Sequence, residues 1–307
     1  MSDFRDLGQR LSNWGRWGPD DQLGTLNHIK PETISRAAGL ARTGRVFDLG
    51  IGIGRPGVQR AGGIRSNPVH LMNLTPLDLR DNPEHMCIAD DYIMMPLQSV
   101  TQWDGLGHVG YDELLYNGYP ASSITTLEGS TKLSIHRIAA RGFIGRGVLL
   151  DVARYLDVDR LPVDTRIDPQ LLDAVARRQS TEVAAGDILL IRTGWIRHIV
   201  IDRDVEGFWF GEPGLTLECA EWLHRRDVTA VAADNWGVEF VRPDRVGGIP
   251  LHCVLIRDMG MTLGEIFDLE ALSQDCSNDG VWDFLLTAAP LKVIGGVGSP
   301  ITPLAVK

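Results

Sequence analysis

Three apolar runs, Gly147–Val152, Ile188–Arg192 and Val228–Ala233, are separated by stretches in which apolar residues recur at helical spacing. A short run without polar alternation reads as a strand buried on both faces. Buried strands that alternate with helices make a helix-covered sheet rather than a sandwich. Asp168-Pro169 supplies an N-cap and a proline at the first helical position, and Leu171, Leu172 and Val175 then repeat at helical spacing up to about Arg178. Pro213-Gly214 turns into a second helix, about Thr216–Arg226, and Pro31 opens another at Glu32–Arg42 with Gly44 as its expected C-cap. Strands are predicted over Arg45–Leu49, His70–Leu74, Met94–Trp103, Cys253–Arg257 and Val293–Val297. The expected fold class is α/β, a central mixed sheet flanked by helices. No low-complexity linker or repeat divides the chain, so residues 1–307 are expected to form one domain.

Charge and cysteine usage narrow the partners. Lys plus Arg number 30 against 40 Asp plus Glu, a formal net charge of −10, so no nucleic acid or anionic membrane surface is expected as a partner. The first ten residues carry Asp3, Arg5 and Asp6 without an apolar core, and no uncharged apolar run approaches the roughly 18 residues of a membrane span. Cys87, Cys219, Cys253 and Cys276 are too scattered for a zinc site and too few for a disulfide scaffold, which suits buried thiols in a reducing cytoplasm.

Gly52-Ile-Gly-Arg-Pro-Gly57 has the dinucleotide-binding spacing, but Pro56 and the polar Gln59–Pro68 do not begin a helix, so nothing would hold a pyrophosphate and a glycine-rich bend is expected. The densest polar stretch is Gln98-Ser-Val-Thr-Gln102-Trp-Asp104-Gly-Leu-Gly-His108. On a strand, Gln98, Gln102 and Asp104 fall on one face, where they converge on a ligand or line a solvated edge. Asp234-Asn-Trp236-Gly-Val-Glu239 follows another predicted strand, and Pro250-Leu-His252 leads toward Glu265. Strand ends carry chemistry in α/β folds, although each of these groups could equally serve as a turn, cap or structural residue.

Together these residues resemble the cyclase-like superfamily that includes bacterial kynurenine formamidase and isatin hydrolase. The family motif His-x-Gly-Thr-His-x-Asp-x-x-x-His reads here as Gln98, Thr101, Gln102, Asp104 and His108, with both leading histidines replaced by glutamine. Trp17-Gly-Pro-Asp-Asp21 with Gly24 and Asn27, Gly186-Asp-Ile-Leu-Leu-Ile-Arg-Thr-Gly194, Pro213-Gly-Leu215 and Ala233–Glu239 are similar to the family in the same order. His252 and Glu265, thirteen residues apart, fall where the family places a His and a Glu near its metal. The resemblance implies a swivelling β/β/α fold, a homo-oligomer (dimer or tetramer), and a zinc or manganese ion that activates water to hydrolyse a small cyclic or aromatic metabolite at an amide, lactam or lactone bond.

On that reading Asp104, His252 and Glu265 hold the metal with Gln98 or Gln102, and His108, Asp104 and Glu265 form the catalytic set, His108 acting as general acid and base. Trp103, Trp236, Asp234 and Glu239 are then the expected substrate contacts, with Phe208-Trp209-Phe210 able to extend an aromatic wall. Amide oxygens are harder and weaker ligands than imidazoles and favour manganese, magnesium or calcium over zinc. Two other readings remain open: a metal-independent cyclase, dehydratase or isomerase using His108 and the carboxylates, and a non-catalytic ligand-binding relative.

Overall fold

The structure, a computed structural model, describes residues 4–81, 84, 86–244 and 248–307. Nine strands form the central sheet: β1 (Val46–Asp48), β2 (Gln102–Asp104), β3 (Ile144–Asp151), β4 (Ile188–Arg192), β5 (Ala230–Ala233), β6 (Thr262–Glu265), β7 (Asp283–Thr287), β8 (Gly298–Pro300) and β9 (Leu304–Val306). Their order is β1-β9-β7-β3-β4-β5-β6-β2-β8. The inner four, β3 to β6, are parallel, and antiparallel strands extend both sides. Although β8 and β9 are separated only by residues 301–303, they lie toward opposite ends of that order, so the sheet curls. Two bonds hold this connection, Ile301 N to the Thr101 carbonyl at 3.0 Å and Leu49 N to the Pro303 carbonyl at 2.9 Å.

Alternation along the inner strands builds two cores. Val148, Leu150, Leu189, Ile191, Val231 and Ala233 pack under the helices Pro169–Arg178 and Cys219–Arg225. Leu149, Ile188, Leu190, Ala230 and Ala232 face the other way, against Phe143, Phe267 and Phe284. At about 25 cal/mol per Å² of apolar surface, burial on both faces makes these strands the most strongly held part of the sheet. The Pro169–Arg178 helix begins as its sequence dictates, the Asp168 carboxylate accepting Leu171 N–H at 2.8 Å.

Several expectations change in detail. Cys253–Arg257 is not a strand: Pro250–His252 opens an α-helical turn that continues as a π-helix over Cys253–Asp258. A continuous apolar run such as Val254-Leu-Ile256 suits a buried helix as well as a buried strand, and here a proline start selects the helix. Met94–Trp103 is not one element; Asp90–Met94 pairs with Val69–Leu74 in a separate hairpin, and the sheet strand is only Gln102–Asp104. Val293–Val297 is a turn around Gly295, whose φ of 78° no strand adopts, and pairing starts at Gly298. The first long helix stops at Ala38 with Gly39 as its cap, well before Gly44, and the helix expected from Thr216 begins at Cys219. Residues 52–57 form a bend without a helix, as expected. All four cysteines are free, and Cys87 is exposed rather than buried. None of the described helices is long and apolar enough to cross a membrane.

Candidate metal centre

The centre is built on the antiparallel pair β2–β6. Gln102 registers with Glu265 and Asp104 with Leu263, so strand pleating sends the side chains of Gln102, Asp104 and Glu265 to the same face. The same pleat sends Trp103 to the opposite face. There it stacks on Phe143 with centroids 4.4 Å apart, meets Phe267 edge-on and donates Nε1–H to the Ala288 carbonyl at 2.7 Å. Gly264 faces it across the pair, and a Cβ at Gly264 would lie 2.5 Å from the indole. Trp103, expected against the substrate, is instead a wholly buried core residue.

His252 arrives from the start of the π-helical segment. The Glu239 carboxylate accepts the backbone N–H of Leu251 at 3.2 Å and of His252 at 3.0 Å, and it also pairs closely with His252 Nδ1. One carboxylate thereby caps the helix and orients the ring, so that Nε2 faces Glu265 Oε1 at 3.3 Å. Glu239, expected to touch the substrate, instead positions the histidine. Asp234 also serves the framework: its Oδ1 accepts Thr193 N–H at 2.8 Å and its Oδ2 accepts Gly194 N–H at 2.7 Å, tying the turn after β4 to the end of β5. It is fully buried and does not line the cavity.

One ligand atom each from Asp104, His252 and Glu265 lies within 4.8 Å of the others, and all three residues are buried. Gln102 Nε2 donates to Glu265 Oε2 at 2.5 Å, while Gln102 Oε1 and both oxygens of Asp104 are buried with no hydrogen-bond donor among the described residues. Bare acceptors this deep cost ~1–3 kcal/mol each unless something positive meets them. Two carboxylates and an imidazole converging on one point fit a divalent cation, and this oxygen-rich set suits manganese or magnesium better than zinc. Gln98 stands apart from the triad. Its amide nitrogen lies 3.4 Å from His108 Nδ1, and His108 Nε2 lies 3.6 Å from Asp104 Oδ2.

Charge states follow from this setting. Burial, reinforced by Glu265, holds the Asp104 carboxyl well above its usual range. Burial alone would lower His252, but the bonds to Glu239 and Glu265 outweigh it and hold the imidazolium well above the usual value. Burial takes His108 down to about 4, which leaves a neutral ring at physiological pH.

A cavity of about 290 Å³ opens above Asp104, His108, His252 and Glu265. Trp209 and Trp236, their rings 5.1 Å apart and tilted by 30°, form one wall, so Trp236 stands where a substrate contact was expected and Trp209 joins it. Phe208 is buried in a neighbouring core and Phe210 is 63% exposed. Three participants escape the sequence reading. Arg60 and Arg65 reach the cavity from the glycine-rich stretch after residue 58. Glu212 lies buried behind Gly237, accepting Trp236 N–H at 2.7 Å through Oε2 while Oε1 has no hydrogen-bond donor among the described residues, and burial raises it well above the usual carboxyl range. The only signals for them are two arginines around Gly62-Gly63 and an acid just before Pro213-Gly214. The other motif residues brace the frame: Asp21 accepts Gly24 N–H at 2.9 Å and Asn27 Nδ2–H at 2.8 Å, and Arg192 bridges Asp151 and Glu270.

The sequence model of a family described as "Putative cyclase" matches residues 7–240. The crystal structure of a novel cyclase is similar throughout, 40% identical with a TM-score of 0.88, covering 96% of this chain and 99% of that one. Isatin hydrolase A from Ralstonia solanacearum shares the fold, with a TM-score of 0.64 at 23% identity over 88% of this chain and 95% of its own. The isatin hydrolase of Roseibium aggregatum is 29% identical over 135 residues, 40% of this chain and 46% of that protein, so the match spans about half of that relative's length.

Proposed function

This chain belongs to the cyclase family, and on that premise we propose that it is a metal-assisted hydrolase of an amide, lactam or lactone bond in a small cyclic or aromatic metabolite. The observation that carries the proposal is the convergence of one ligand atom each from Asp104, His252 and Glu265, with both Asp104 oxygens lacking a donor among the described residues. Similarity to isatin hydrolases, named for a lactam, supports the bond class. A divalent cation held by Asp104, His252 and Glu265, with Gln102 Oε1 beside them, would supply Lewis acidity toward the scissile carbonyl and toward water.

The chain's own residues account for the proton and for the pocket. His108, neutral and beside the centre, takes a proton from the attacking water at Nε2 and returns it to the leaving nitrogen or oxygen. Gln98 can meet Nδ1 with either end of its amide. With the amide oxygen turned to accept Nδ1–H, Nε2 is left bare to take the proton, and the imidazolium keeps its Nδ1–H on the same acceptor. Glu239 keeps His252 Nδ1 protonated and its Nε2 directed inward. Trp209 and Trp236 seat a flat ring and keep bulk water from that side.

The test is elemental analysis of untagged protein purified without added metal or chelator, followed by an amide, lactam and lactone panel assayed with and without chelator. Near-stoichiometric manganese or zinc and chelator-sensitive hydrolysis are expected. A chain that stays metal-free after incubation with several divalent ions, or that turns over undiminished in chelator, overturns the proposal.

A further inference from the structure

We infer that the substrate carries a carboxylate on the same small skeleton as the bond that is cleaved, and that Arg65 recognises it. The inference rests on the cavity being the catalytic pocket and specifies the molecules that enter it. Arg65 comes from the irregular stretch between Gln59 and Pro68 and lines the cavity, with its side chain 26% exposed. Among the described residues a single hydrogen bond tethers it, Nη1–H to the Gln98 carbonyl at 2.8 Å, and the same nitrogen stands 3.9 Å from Glu265 Oε2, beyond hydrogen-bond reach. Its Nε and Nη2 donate to no described residue. These two N–H groups share one edge of the guanidinium and form the fork that a carboxylate accepts in bidentate fashion.

Glu265 does not use that edge. Its oxygens already meet Gln102 Nε2 and His252 Nε2. Once a dication neutralises Asp104 and Glu265, the guanidinium charge is unmatched, and Arg60 on the same cavity adds to it. A neutral lactam would leave this half-buried cation without a partner; an anionic substrate supplies one. The wall of Trp209 and Trp236 shares the cavity with this fork, so a flat ring and its carboxylate are accommodated together. Arg65 is on this account a specificity-determining residue, set beside Glu265 so that the anion binds next to the reacting centre.

Benzoate and benzamide, nearly identical in shape and different in charge, are the probes. Each is titrated into chelator-treated and manganese-loaded protein, with binding read by calorimetry and by quenching of tryptophan fluorescence. Without metal, benzoate is expected to bind about tenfold tighter than benzamide, and Arg65→Gln to lose about that factor for benzoate alone. Arg65→Lys, which keeps the charge without the fork, is expected to fall between, and thermal unfolding of both variants confirms that they fold. The inference is overturned if Arg65→Gln binds benzoate like the wild type, if benzamide matches benzoate, or if neither probe binds. A preference that appears only with manganese and survives Arg65→Gln places the anion on the metal and also overturns it. Failure of metal uptake alone removes the hydrolase proposal and leaves a benzoate preference in chelator standing.

Discussion

Gln102 and Glu265 face each other across the β2–β6 register, and the amide of the first donates to the carboxylate of the second at 2.5 Å. Gln102 Oε1 and both Asp104 oxygens are buried on the same strand face, with no hydrogen-bond donor among the described residues. Gln102 therefore touches one carboxylate of the proposed centre and brings to it an amide rather than an imidazole.

Gln102→His restores a nitrogen donor on the same strand face. Zinc affinity is expected to rise about tenfold or more, because imidazole is the better zinc ligand. Competition against a chelating dye measures it, and an unchanged zinc constant would mean that residue 102 does not face the cation.

His108→Ala removes the proton carrier and leaves the core intact, since its side chain is 22% exposed. The expected loss is roughly 10²–10⁴ in kcat with the unfolding midpoint little changed. Full turnover by this variant would take the acid–base role away from His108.

Glu239→Ala uncaps the helix and strands His252 Nδ1, together with two backbone N–H groups. A loss of about 3 kcal/mol in stability is expected, together with a roughly 10–100-fold weaker metal site. Urea unfolding and metal titration read the two effects separately, and Glu239→Gln, which still accepts at one oxygen, should be milder in both.

The metal-free protein holds protons on Asp104, raised by burial and Glu265, and on His252, where Glu239 and Glu265 outweigh burial. Both pKa values lie higher in the folded chain than in the unfolded one, so each contribution is fully present below the unfolded value and is lost as pH rises through the folded one. Unfolding free energy of the metal-free protein should fall as pH is raised from the carboxyl range through neutrality, whereas manganese affinity should rise because binding displaces both protons. A flat stability profile together with a pH-independent manganese constant would contradict this.

Gly264→Ala places a Cβ 2.5 Å from Trp103 and 2.6 Å from the Ala232 Cβ. Overpacking there is expected to cost ~1–3 kcal/mol. The change lies on the face opposite the cavity, so loss of stability with preserved benzoate affinity is the expected pair of results.

The parallel centre is legible in the sequence because a strand buried on both faces leaves an unbroken apolar run, as at Ile188–Arg192 and Ala230–Ala233. Cys253–Asp258 is not, because the same kind of run packs equally well as a helix, and the carboxylate that joins Pro250 in starting that helix comes from Glu239, twelve residues from Leu251. Within the site, two-residue alternation correctly groups Gln102 with Asp104, and the same rule sends Trp103 away from them. Sequence alone does not separate a carboxylate that meets a ligand from one that meets backbone N–H groups, which is how Asp234 and Glu239 come to be read as substrate contacts. Arg65 has no periodicity around it; only the folded path of its glycine-rich stretch brings it to the cavity.

The bond between Gln102 and Glu265 spans 163 residues of chain, and β2 finds its other neighbour still later, at β8. No contiguous fragment shorter than that span owns both halves of the centre, so closing it depends on long-range pairing of the kind that forms slowly. A partly folded chain accordingly has no weakened version of the site. At the proposed centre, cation capture therefore waits on completion of the sheet, and chains that stop short of it take up no metal.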